Sequence, residues 1–435
     1  MADASVSPPD APRVLFVTSA AFNHVTGGGI TFSNLFRGWP KDRLATVHND
    51  QVPVAHDVCD TYYSLGSAEI GRWLFPAAEP DPSSVEQWAA PKPASRLVRP
   101  TQCAKRIVIG NAWPDTGRLS PQLEAWIEDF RPQVMYTILG TIGMMELIDT
   151  IRRRFNLPTI VHFMDDWPSH LYRGGAVSFV FRRRMHKLIQ NLVGSARQCL
   201  AIGDTMAESY ERRYRRSFGA FQNPINPAVI ERLDDGRRVR SPGGPTKVVY
   251  MGSVFDNAQA QSLIEISRAV AILDAEGQRF ALDIYSPLHL AEPFRQRLEV
   301  PGTVRLHDTL TDDDAFFELI GGADILVLPI NFDATSIRLI RYSMPTKLPS
   351  YIASGTPILV YGPAGTAQVE DARQHGWGLV VDHRGLEGVR SALLRLRDDT
   401  ALSQALTTRG RALALERHNA EIVRPRFQRR LADAL

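Results

Sequence analysis

The sequence predicts an α/β protein built as two doubly wound, Rossmann-like domains. Short apolar runs recur along the chain, and each is followed by a polar turn and then by a helical pattern. Such alternation is typical of a parallel sheet that is covered by helices on both faces. The length of 435 residues exceeds one ordinary core. A stretch of charges, Gly and Pro at 233–246 then separates two series of elements, which predicts a linker there.

The composition excludes several classes of protein. Charged residues at 22% and hydrophobic residues at 44% are average for a globular protein. A formal charge of +3 is too small for a general nucleic-acid binder, so we expect no nucleic-acid partner. Cys59, Cys103 and Cys199 are widely spaced, which favours a reducing cytosol over a disulfide framework or a zinc site. Residues 1–12 form a polar tail without the apolar core of a signal peptide, and no apolar run approaches a membrane span.

The first domain is predicted to cover 13–232. It begins with a strand at 13–19, a loop that contains three glycines, and a helix from about Ile30. Residues 76–100 are rich in Pro, Ala and Ser and are interpreted as an irregular surface insertion. Further strands are predicted at 133–139, 158–164 and 198–202, and helices at about 120–130, 144–155, 177–194 and 204–214.

The second domain is predicted to cover 247–410, and a C-terminal helix 411–435. Strands are predicted at 247–253, 280–286, 303–307, 325–328, 357–360 and 378–381, and helices at 258–275, 291–299 and 312–321. After the strand 325–328 we expect a polar loop and then a helix that begins near Ser343. The last elements are predicted as a run of helix from about 386 to 432.

The clearest candidate site follows the strand at 325–328. Hydroxyls and cations accumulate there, from Ser336, Arg338, Arg341, Ser343, Thr346 and Lys347. An α/β protein binds an anion, usually a phosphate, where a helix starts at the carboxyl end of a parallel strand. A lysine in the first turn of a helix opposes the helix dipole as a structural residue. Lys347 therefore favours an anionic partner.

Two glycine-containing turns are further candidates. Gly252 and Ser253 end the first strand of the second domain, where glycine lets a ligand approach the backbone and serine can donate to a phosphate. An ordinary strand-to-helix turn is the alternative. Gly27, Gly28 and Gly29 follow the first strand of the chain, but their pattern is not the dinucleotide fingerprint. We expect a substrate to approach the helix behind them, with His24 as a lesser candidate nearby.

The run 161–170 places polar side chains at the end of a predicted strand. His162, Asp165 and Asp166 are the residue types that serve in acid/base catalysis or hold sugar hydroxyls. A satisfied network of loop hydrogen bonds is the alternative. The spacing matches no known metal pattern.

A basic helical stretch at 178–193 has two interpretations. It mixes apolar residues with Arg182, Arg183, Arg184, His186 and Lys187. A basic amphipathic helix can lie on an anionic membrane surface. The alternative is a domain helix with one face in the core and one in solvent.

Several motifs together resemble a known family. The run PTKLPSYIASGTPILVYGP is similar to a Lys-Leu-x-x-Tyr-x-Ala-x-Gly-x-Pro-Ile motif. VHFMDDWP, AIGDTMAESY with FQNPIN, VVYMGS and ADILVLPI follow the same order. In these pieces, which run from RVLFVTS to about residue 383, the chain resembles GT-B type glycosyltransferases. The similar group is retaining and nucleotide-sugar-dependent (family 4-like, glycosyl transferases group 1).

The resemblance implies a central cleft, with the donor held by the second domain and the acceptor by the first. It implies a nucleotide diphosphate sugar as a partner, no metal or other cofactor, and a terminal helix that crosses back to the first domain. The resemblance places Gly252 and Ser253 against the donor diphosphate, with Ser343, Thr346, Lys347 and Leu348 opposite. From the residues themselves we assign His24, Gly27, Gly28, Gly29 and Asp166 to the acceptor and His162 and Asp165 to catalysis, and the resemblance adds Lys347 at the leaving diphosphate.

The chain departs from the family in two places. Many relatives carry Arg and Lys after the glycine of the first strand of the donor domain, where this chain has Ser253, Val254, Phe255 and Asp256, and we expect Arg338 or Arg341 to supply the missing cation. Many relatives carry paired glutamates where this chain has Tyr342 and Ser350, so retention rests on the resemblance alone. We expect transfer of a sugar to a hydroxyl of a polysaccharide, a lipid-linked sugar or a small glycoside. The expected location is the cytoplasm, with the inner face of the membrane as a second location. A sugar-nucleotide epimerase and a silent glycan- or partner-binding relative are the alternatives.

Overall fold

The structure, a computed structural model, describes residues 11–72, 111–235, 244–310 and 312–435. Much of the polar tail, the insertion predicted at 76–100 and most of the linker predicted at 233–246 lie outside these residues. The chain divides into two compact units. Unit 1 contains the residues up to Gln222 together with Val423–Leu435, and unit 2 contains Asn223–Ile422.

The described part of unit 1 is built on a parallel sheet with the strand order β3-β2-β1-β6-β7-β8-β9. Its central strands are entirely buried, as expected for a sheet covered on both faces. A small antiparallel pair, β4 and β5, lies apart from it. The strands are β1 (Val14–Val17), β2 (Leu44–His48), β3 (Thr61–Ser64), β4 (Ile70–Arg72), β5 (Asp115–Gly117), β6 (Val134–Ile138), β7 (Thr159–Phe163), β8 (Gln198–Ala201) and β9 (Phe218–Ala220).

The helices of unit 1 connect these strands. They are α1 (Gly27–Phe36), α2 (Pro121–Phe130), α3 (Ile142–Arg154), α4 (Trp167–His170), α5 (Ser178–Ser195) and α6 (Asp204–Tyr214). The first helix begins at Gly27 rather than near Ile30, so the three glycines are its first turn and not a loop. The cause is Thr26, whose side chain accepts a hydrogen bond from the Gly29 amide as an N-cap.

The described part of unit 2 contains a second parallel sheet, in the order β12-β11-β10-β13-β14-β15. Its strands are β10 (Thr246–Met251), β11 (Phe280–Tyr285), β12 (Val304–His307), β13 (Ile325–Pro329), β14 (Ile358–Tyr361) and β15 (Leu379–Val381). Its helices are α7 (Pro227–Asp235), α8 (Ala260–Ala275), α9 (Leu288–Ala291), α10 (Arg295–Leu298), α11 (Asp313–Gly322), α12 (Ala334–Ile340), α13 (Leu348–Ala353), α14 (Ala367–His375), α15 (Leu386–Asp398) and α16 (Thr400–Arg417).

Two predictions between β13 and β14 were wrong. The expected polar loop contains α12, because Asp333 caps it by accepting hydrogen bonds from the Thr335 and Ser336 amides. The following helix, α13, begins at Leu348 and not near Ser343. Pro345 disfavours helical geometry in the residue before it, which delays the helix start.

The last helix, α17 (Ala420–Ala432), completes the core of unit 1 although it lies at the end of the chain. Its Phe427 side chain is fully buried. The ring centroid lies 5.1 Å from that of Phe36, 5.7 Å from that of Tyr136 and 5.5 Å from that of Phe221. Edge-to-face packing of this kind adds to the stabilisation that comes from buried apolar area.

We expect Phe427→Ala to destabilise unit 1 by about 3–5 kcal/mol, because it leaves a cavity among three aromatic rings. Urea unfolding followed by tryptophan fluorescence measures the change. Ile422→Ala on the same helix is the matched control, since Ile422 is 43% exposed, and it should cost less than about 0.5 kcal/mol. Equal effects of the two variants would show that α17 is not part of this core.

Candidate functional site

The candidate site of unit 2 lies where the strand order of its sheet reverses. From β10 the chain proceeds to β11 and β12 on one side, and then returns to β13 on the other side of β10. The crevice outside the carboxyl ends of β10 and β13 is therefore the topological switch point, where open α/β sheets bind ligands. Gly252 follows β10, and the loop that carries Lys347 follows β13 and α12.

The side chain of Lys347 is partly buried at this switch point. Its Nζ donates a hydrogen bond to the Met251 carbonyl at the end of β10. It also lies 3.9 Å from the ring centroid of Tyr250 and 5.7 Å from that of Tyr351. A cation over an aromatic face is stabilised by the ring quadrupole. Two rings and one carbonyl therefore hold the charge in place.

Gly252 provides the space that this arrangement requires. Its φ of +138° lies in a region that favours glycine. A Cβ atom at this position would lie 2.6 Å from Nζ of Lys347 and 3.4 Å from the Tyr250 hydroxyl. The Gly252 amide donates to the Tyr285 carbonyl at 2.9 Å, so the residue still pairs with β11. The structure thus brings Gly252 and Lys347 together, as the sequence predicts.

Burial lowers the pKa of Lys347 to about 7. The cause is the removal of the ammonium from water, which disfavours the charged form. Among the described residues, no carboxylate pairs with this ammonium to offset that cost. An anion placed beside Nζ would favour the charged form and raise the pKa again. The site is therefore prepared for a negative ligand.

Two tyrosines that the sequence analysis did not select hold this site together. The Tyr351 hydroxyl accepts a hydrogen bond from the Met251 amide at 2.9 Å. The Tyr250 hydroxyl donates to the Ser253 carbonyl at 2.7 Å, which fixes the turn after β10. Tyr351 is four residues after Lys347, a spacing that places side chains together at a helix start. That spacing was a signal that could have identified it.

A buried asparagine joins the two loops at the switch point. Asn331 follows β13, and its Nδ2 donates to the Asp256 carbonyl at 2.7 Å in the loop after β10. Its Oδ1 accepts from the Ser262 amide at 3.1 Å, and its own amide donates to the Ala258 carbonyl at 2.8 Å. Because this polar side chain is fully buried and bonded on both ends, it rigidifies the crevice. The sequence analysis missed this residue.

The predicted arginines lie on the surface near the end of α12. Arg338 is exposed, with its guanidinium 3.3 Å from the Thr335 hydroxyl. Arg341 is also exposed, and its guanidinium lies 5.0 Å from the ring centroid of Tyr342. No carboxylate among the described residues pairs with either arginine. Their contact with a diphosphate stays a prediction.

The hydroxyl residues of the loop before α13 are partly buried, and hydrogen bonds fix their backbone. The Ser343 amide donates to the Ile340 carbonyl at 3.0 Å. The Thr346 carbonyl accepts from Asn223 Nδ2 at 2.9 Å. Leu348 differs from the prediction, because its side chain is buried in the core and its amide donates to the Pro345 carbonyl at 3.0 Å. Leu348 therefore has no amide to offer a diphosphate in this conformation.

In unit 1 the glycine turn is supported by a buried asparagine. Asn23 Oδ1 accepts hydrogen bonds from the Val25 and Thr26 amides at 3.0 and 2.7 Å. A Cβ on Gly29 would lie 2.3 Å from the Asn23 amide group, so only glycine fits there. Asn23 was missed by the sequence analysis. The role of Gly27–Gly29 in acceptor binding stays a prediction.

His24 lies on the surface next to this turn. Its Nε2 is 3.1 Å from Oδ1 of Asp57, and the two side chains are 58% and 43% exposed. A solvent-exposed pair of this kind contributes little to stability. The imidazole is therefore accessible to a ligand, and its contact with an acceptor stays a prediction.

His162 lies in the core and not at a surface. It is in β7, its side chain is fully buried, and its Nδ1 is 2.6 Å from the Tyr136 hydroxyl. Burial is the main cause that lowers its pKa to about 3, while a backbone hydrogen bond with Ala201 acts in the opposite direction. An imidazole enclosed in this way cannot reach an acceptor hydroxyl. We therefore correct the prediction of a catalytic role to a structural one.

The two adjacent aspartates after β7 differ from each other. Asp166 is buried, and its Oδ1 accepts from the Tyr210 hydroxyl at 2.8 Å and lies 3.5 Å from Arg213 Nη1. These contacts join α4 to α6, so the acceptor role predicted for Asp166 is replaced by a structural one. Asp165 is partly buried at the carboxyl edge of the sheet. Of the three polar residues predicted in this run, Asp165 alone remains a candidate for acid/base work.

We expect Gly252→Ala to weaken anion binding without unfolding unit 2. The new methyl would displace the Lys347 ammonium, which is the mobile end of a side chain, at about 1–3 kcal/mol of backbone strain. Gly365→Ala is the matched control, because φ there is also positive at +81° and no atom lies within 4 Å. Titration with inorganic diphosphate, beside urea unfolding, separates the two effects. If both variants lose affinity equally, the contact with Lys347 has no special role.

Comparison with known proteins gives the fold. No protein-family model and no curated protein matches the sequence. Among solved structures, sucrose-phosphate synthase from Thermosynechococcus elongatus matches with a TM-score of 0.62 at 13% identity, over 97% of this chain and 100% of that one. Anabaena HepE in complex with UDP matches with a TM-score of 0.60 at 11% identity, over 97% and 100%.

A third similar structure is a UDP-forming trehalose-phosphate synthase from Burkholderia xenovorans. Its TM-score is 0.60 at 14% identity, over 97% of this chain and 99% of that one. Such low identities carry information about the fold alone. The chain has the α/β fold of the GT-B glycosyltransferases, and the match extends over nearly its whole length.

Proposed function

We propose that the chain is a glycosyltransferase that moves a sugar from a nucleotide diphosphate donor to an acceptor hydroxyl. The observation that carries this proposal is the Lys347 ammonium, held beside Gly252 at the switch point of unit 2. It offers a cation to an anionic ligand at the place where α/β sheets bind nucleotides. The similar structures that are described with UDP and UDP-glucose bound support a donor of this class.

In the proposed reaction the acceptor oxygen bonds to the anomeric carbon of the sugar. The bond from that carbon to the diphosphate oxygen breaks, and its electron pair remains on the diphosphate. Lys347 would contact that oxygen and neutralise the charge that develops on it, which is usually the largest electrostatic contribution to catalysis. The ammonium would thus serve where other enzymes use a metal ion. We propose that the reaction needs no metal and retains the anomeric configuration.

The acceptor would bind to unit 1. Asp165 lies after β7 at the carboxyl edge of the sheet, with a partly buried side chain. Its carboxylate would orient the acceptor hydroxyl or take up its proton. The acceptor class that we propose is a glycan or a lipid-linked sugar, bound near the turn at Gly27–Gly29 with His24 beside it.

The first test compares two lysine variants. Lys347→Met should weaken the binding of UDP, ADP or GDP and slow sugar transfer by at least about 100-fold, because it removes the cation at the leaving group. Lys247→Met, which replaces an exposed lysine on β10, should change both by less than about twofold. Calorimetry measures binding, and release of the nucleoside diphosphate measures turnover with a panel of nucleotide sugars and acceptors.

Each outcome of this panel distinguishes the proposal from its alternatives. A transferase releases the diphosphate only when an acceptor is present, and EDTA should not slow it. An epimerase converts the sugar of the donor without acceptor, and a silent binding protein changes nothing. Absence of nucleoside diphosphate binding by the unmodified protein would refute the proposed function.

A second prediction concerns the proton that Lys347 takes up when a diphosphate binds. The pKa of Lys347 is lowered to about 7 in the free protein, and a bound diphosphate would raise it. At pH 8 binding should therefore take up as much as about one proton, and affinity should fall by up to about tenfold per pH unit above pH 7. Calorimetry in two buffers with different ionisation enthalpies measures the uptake.

Lys347→Arg is the control for this measurement, because a guanidinium stays charged at every pH used. Stability without ligand depends on pH with the opposite sign. The unfolded chain keeps the lysine proton up to its ordinary pKa, so the folded state gains stability as pH rises from about 7 towards that value. Equal proton uptake by the unmodified protein and by Lys347→Arg would contradict the assignment to Lys347.

A further inference from the structure

Exposed apolar side chains are concentrated at the start of α5. Among the described residues seven large hydrophobic side chains are exposed, and three of them lie within 177–180. Val177 is 38% exposed, Phe179 69% and Val180 50%. Phe181, the next residue, is buried against the domain. The exposed residues therefore face away from the core. Exposure of a phenylalanine to water is unfavourable in free energy, and a cluster of such residues is typical of an interaction surface.

Basic residues extend the same face of the helix. Arg183 and Lys187 are exposed and lie about one and two turns after Val180, at spacings of three and seven residues. No acidic residue occurs anywhere in α5. Neither cation pairs with a carboxylate in the part of the chain that the structure describes. These two charges are therefore not neutralised by an ion pair within the described part of the chain.

Arg182 and Arg184, the other two cations of α5, differ from Arg183 and Lys187 because they contact other parts of unit 1. Arg184 forms an ion pair with Glu146 on α3. Arg182 donates to the Pro168 and Leu171 carbonyls at 3.3 and 3.2 Å. Two of the four basic residues thus hold α5 to its domain, while Arg183 and Lys187 project outward with Phe179 and Val180.

We propose that the α5 surface, formed by Val177, Phe179, Val180, Arg183 and Lys187, docks unit 1 onto an anionic lipid bilayer. The three apolar side chains would insert below the headgroups, and the two cations would contact lipid phosphates. This is the division of residues by which interfacial helices bind anionic membranes. None of the helices in the described ranges is both long and apolar enough to cross a bilayer. The proposal does not depend on the proposed enzymatic activity.

A fourth exposed apolar residue lies at the same edge of the sheet. Val25 is 68% exposed and follows β1, whereas the α5 surface follows β7 through the segment 164–177. Because all strands of this sheet are parallel, both segments leave it at the carboxyl edge. An apolar residue at this edge adds to the surface that a bilayer can cover.

Vesicle sedimentation with the full chain tests the proposal. We expect binding to vesicles of phosphatidylcholine mixed with phosphatidylglycerol, little binding to phosphatidylcholine alone, and weaker binding at high salt. Phe179→Ser/Val180→Ser and Arg183→Glu/Lys187→Glu should each reduce the partition coefficient by at least about tenfold. All four residues are exposed, so thermal unfolding should not change.

Two matched double variants control for general changes of hydrophobicity and charge. Leu415→Ser/Ile422→Ser removes exposed apolar residues from α16 and α17, and Arg426→Glu/Arg429→Glu makes the same charge change on α17. Both should bind vesicles as the unmodified protein does. Nucleoside diphosphate binding, which uses residues of unit 2, should be unchanged in all four variants, so a failure here is distinct from a failure of the proposed function.

Three results would overturn the proposal. The first is no binding to anionic vesicles, and the second is equal binding to neutral ones. The third is binding that survives both α5 variants. Self-association that Phe179→Ser/Val180→Ser abolishes, without any vesicle binding, would assign the surface to a second copy of the chain instead.

Discussion

The partly buried side chain of Lys347 is the constraint on which the crevice of unit 2 depends. A charge removed from water destabilises the folded state unless polar groups surround it, and here one carbonyl and two aromatic rings do so. The arrangement needs the end of β10, the start of α13 and a glycine between them without a Cβ. A hydrophobic residue would fill the same space more favourably. The presence of a lysine at this position therefore fits a ligand that carries the opposite charge.

Particular residues show why the sequence predicted one part of this site and missed another. Gly252 was predicted because a glycine at a strand end lets a ligand approach the backbone, and Lys347 because a lysine in the first turn of a helix opposes the helix dipole. Tyr250 and Tyr351 look like ordinary core residues in the sequence. Their role depends on the ring faces that they present to Nζ of Lys347, which only the structure shows. Likewise α12 was predicted as a loop, because its seven residues make barely two turns, too few to establish a periodic apolar pattern, and only Asp333 marks the start.

The residues at the end of β7 show the opposite error, in which the sequence predicted functional roles for side chains that the structure buries. His162, Asp165 and Asp166 have equally suitable chemistry, but the structure buries the first and the third against Tyr136 and Tyr210. Both faces of a parallel sheet are covered, so alternation along the strand does not tell which side chain meets solvent. The parallel sheet and its strands β1, β6, β7 and β8 were predicted from their apolar runs, whereas β2, β3 and β9 of the same sheet were missed. The sequence did not predict which polar side chain is buried at the carboxyl edge of this sheet and which is only partly buried.

If both proposals hold, the α5 surface and Asp165 together restrict the acceptor to molecules found at a membrane. Asp165 lies at the end of β7, and the α5 surface begins 12 residues later in the same connection. If this surface rests on a bilayer, the candidate base is held near the membrane plane, where a lipid-linked acceptor is concentrated and a small soluble glycoside is not. The net charge of +3 does not oppose this inference, because the attraction to lipid phosphates decays within a Debye length and depends on local cations. Vesicle binding would thus favour lipid-linked acceptors before any acceptor is identified.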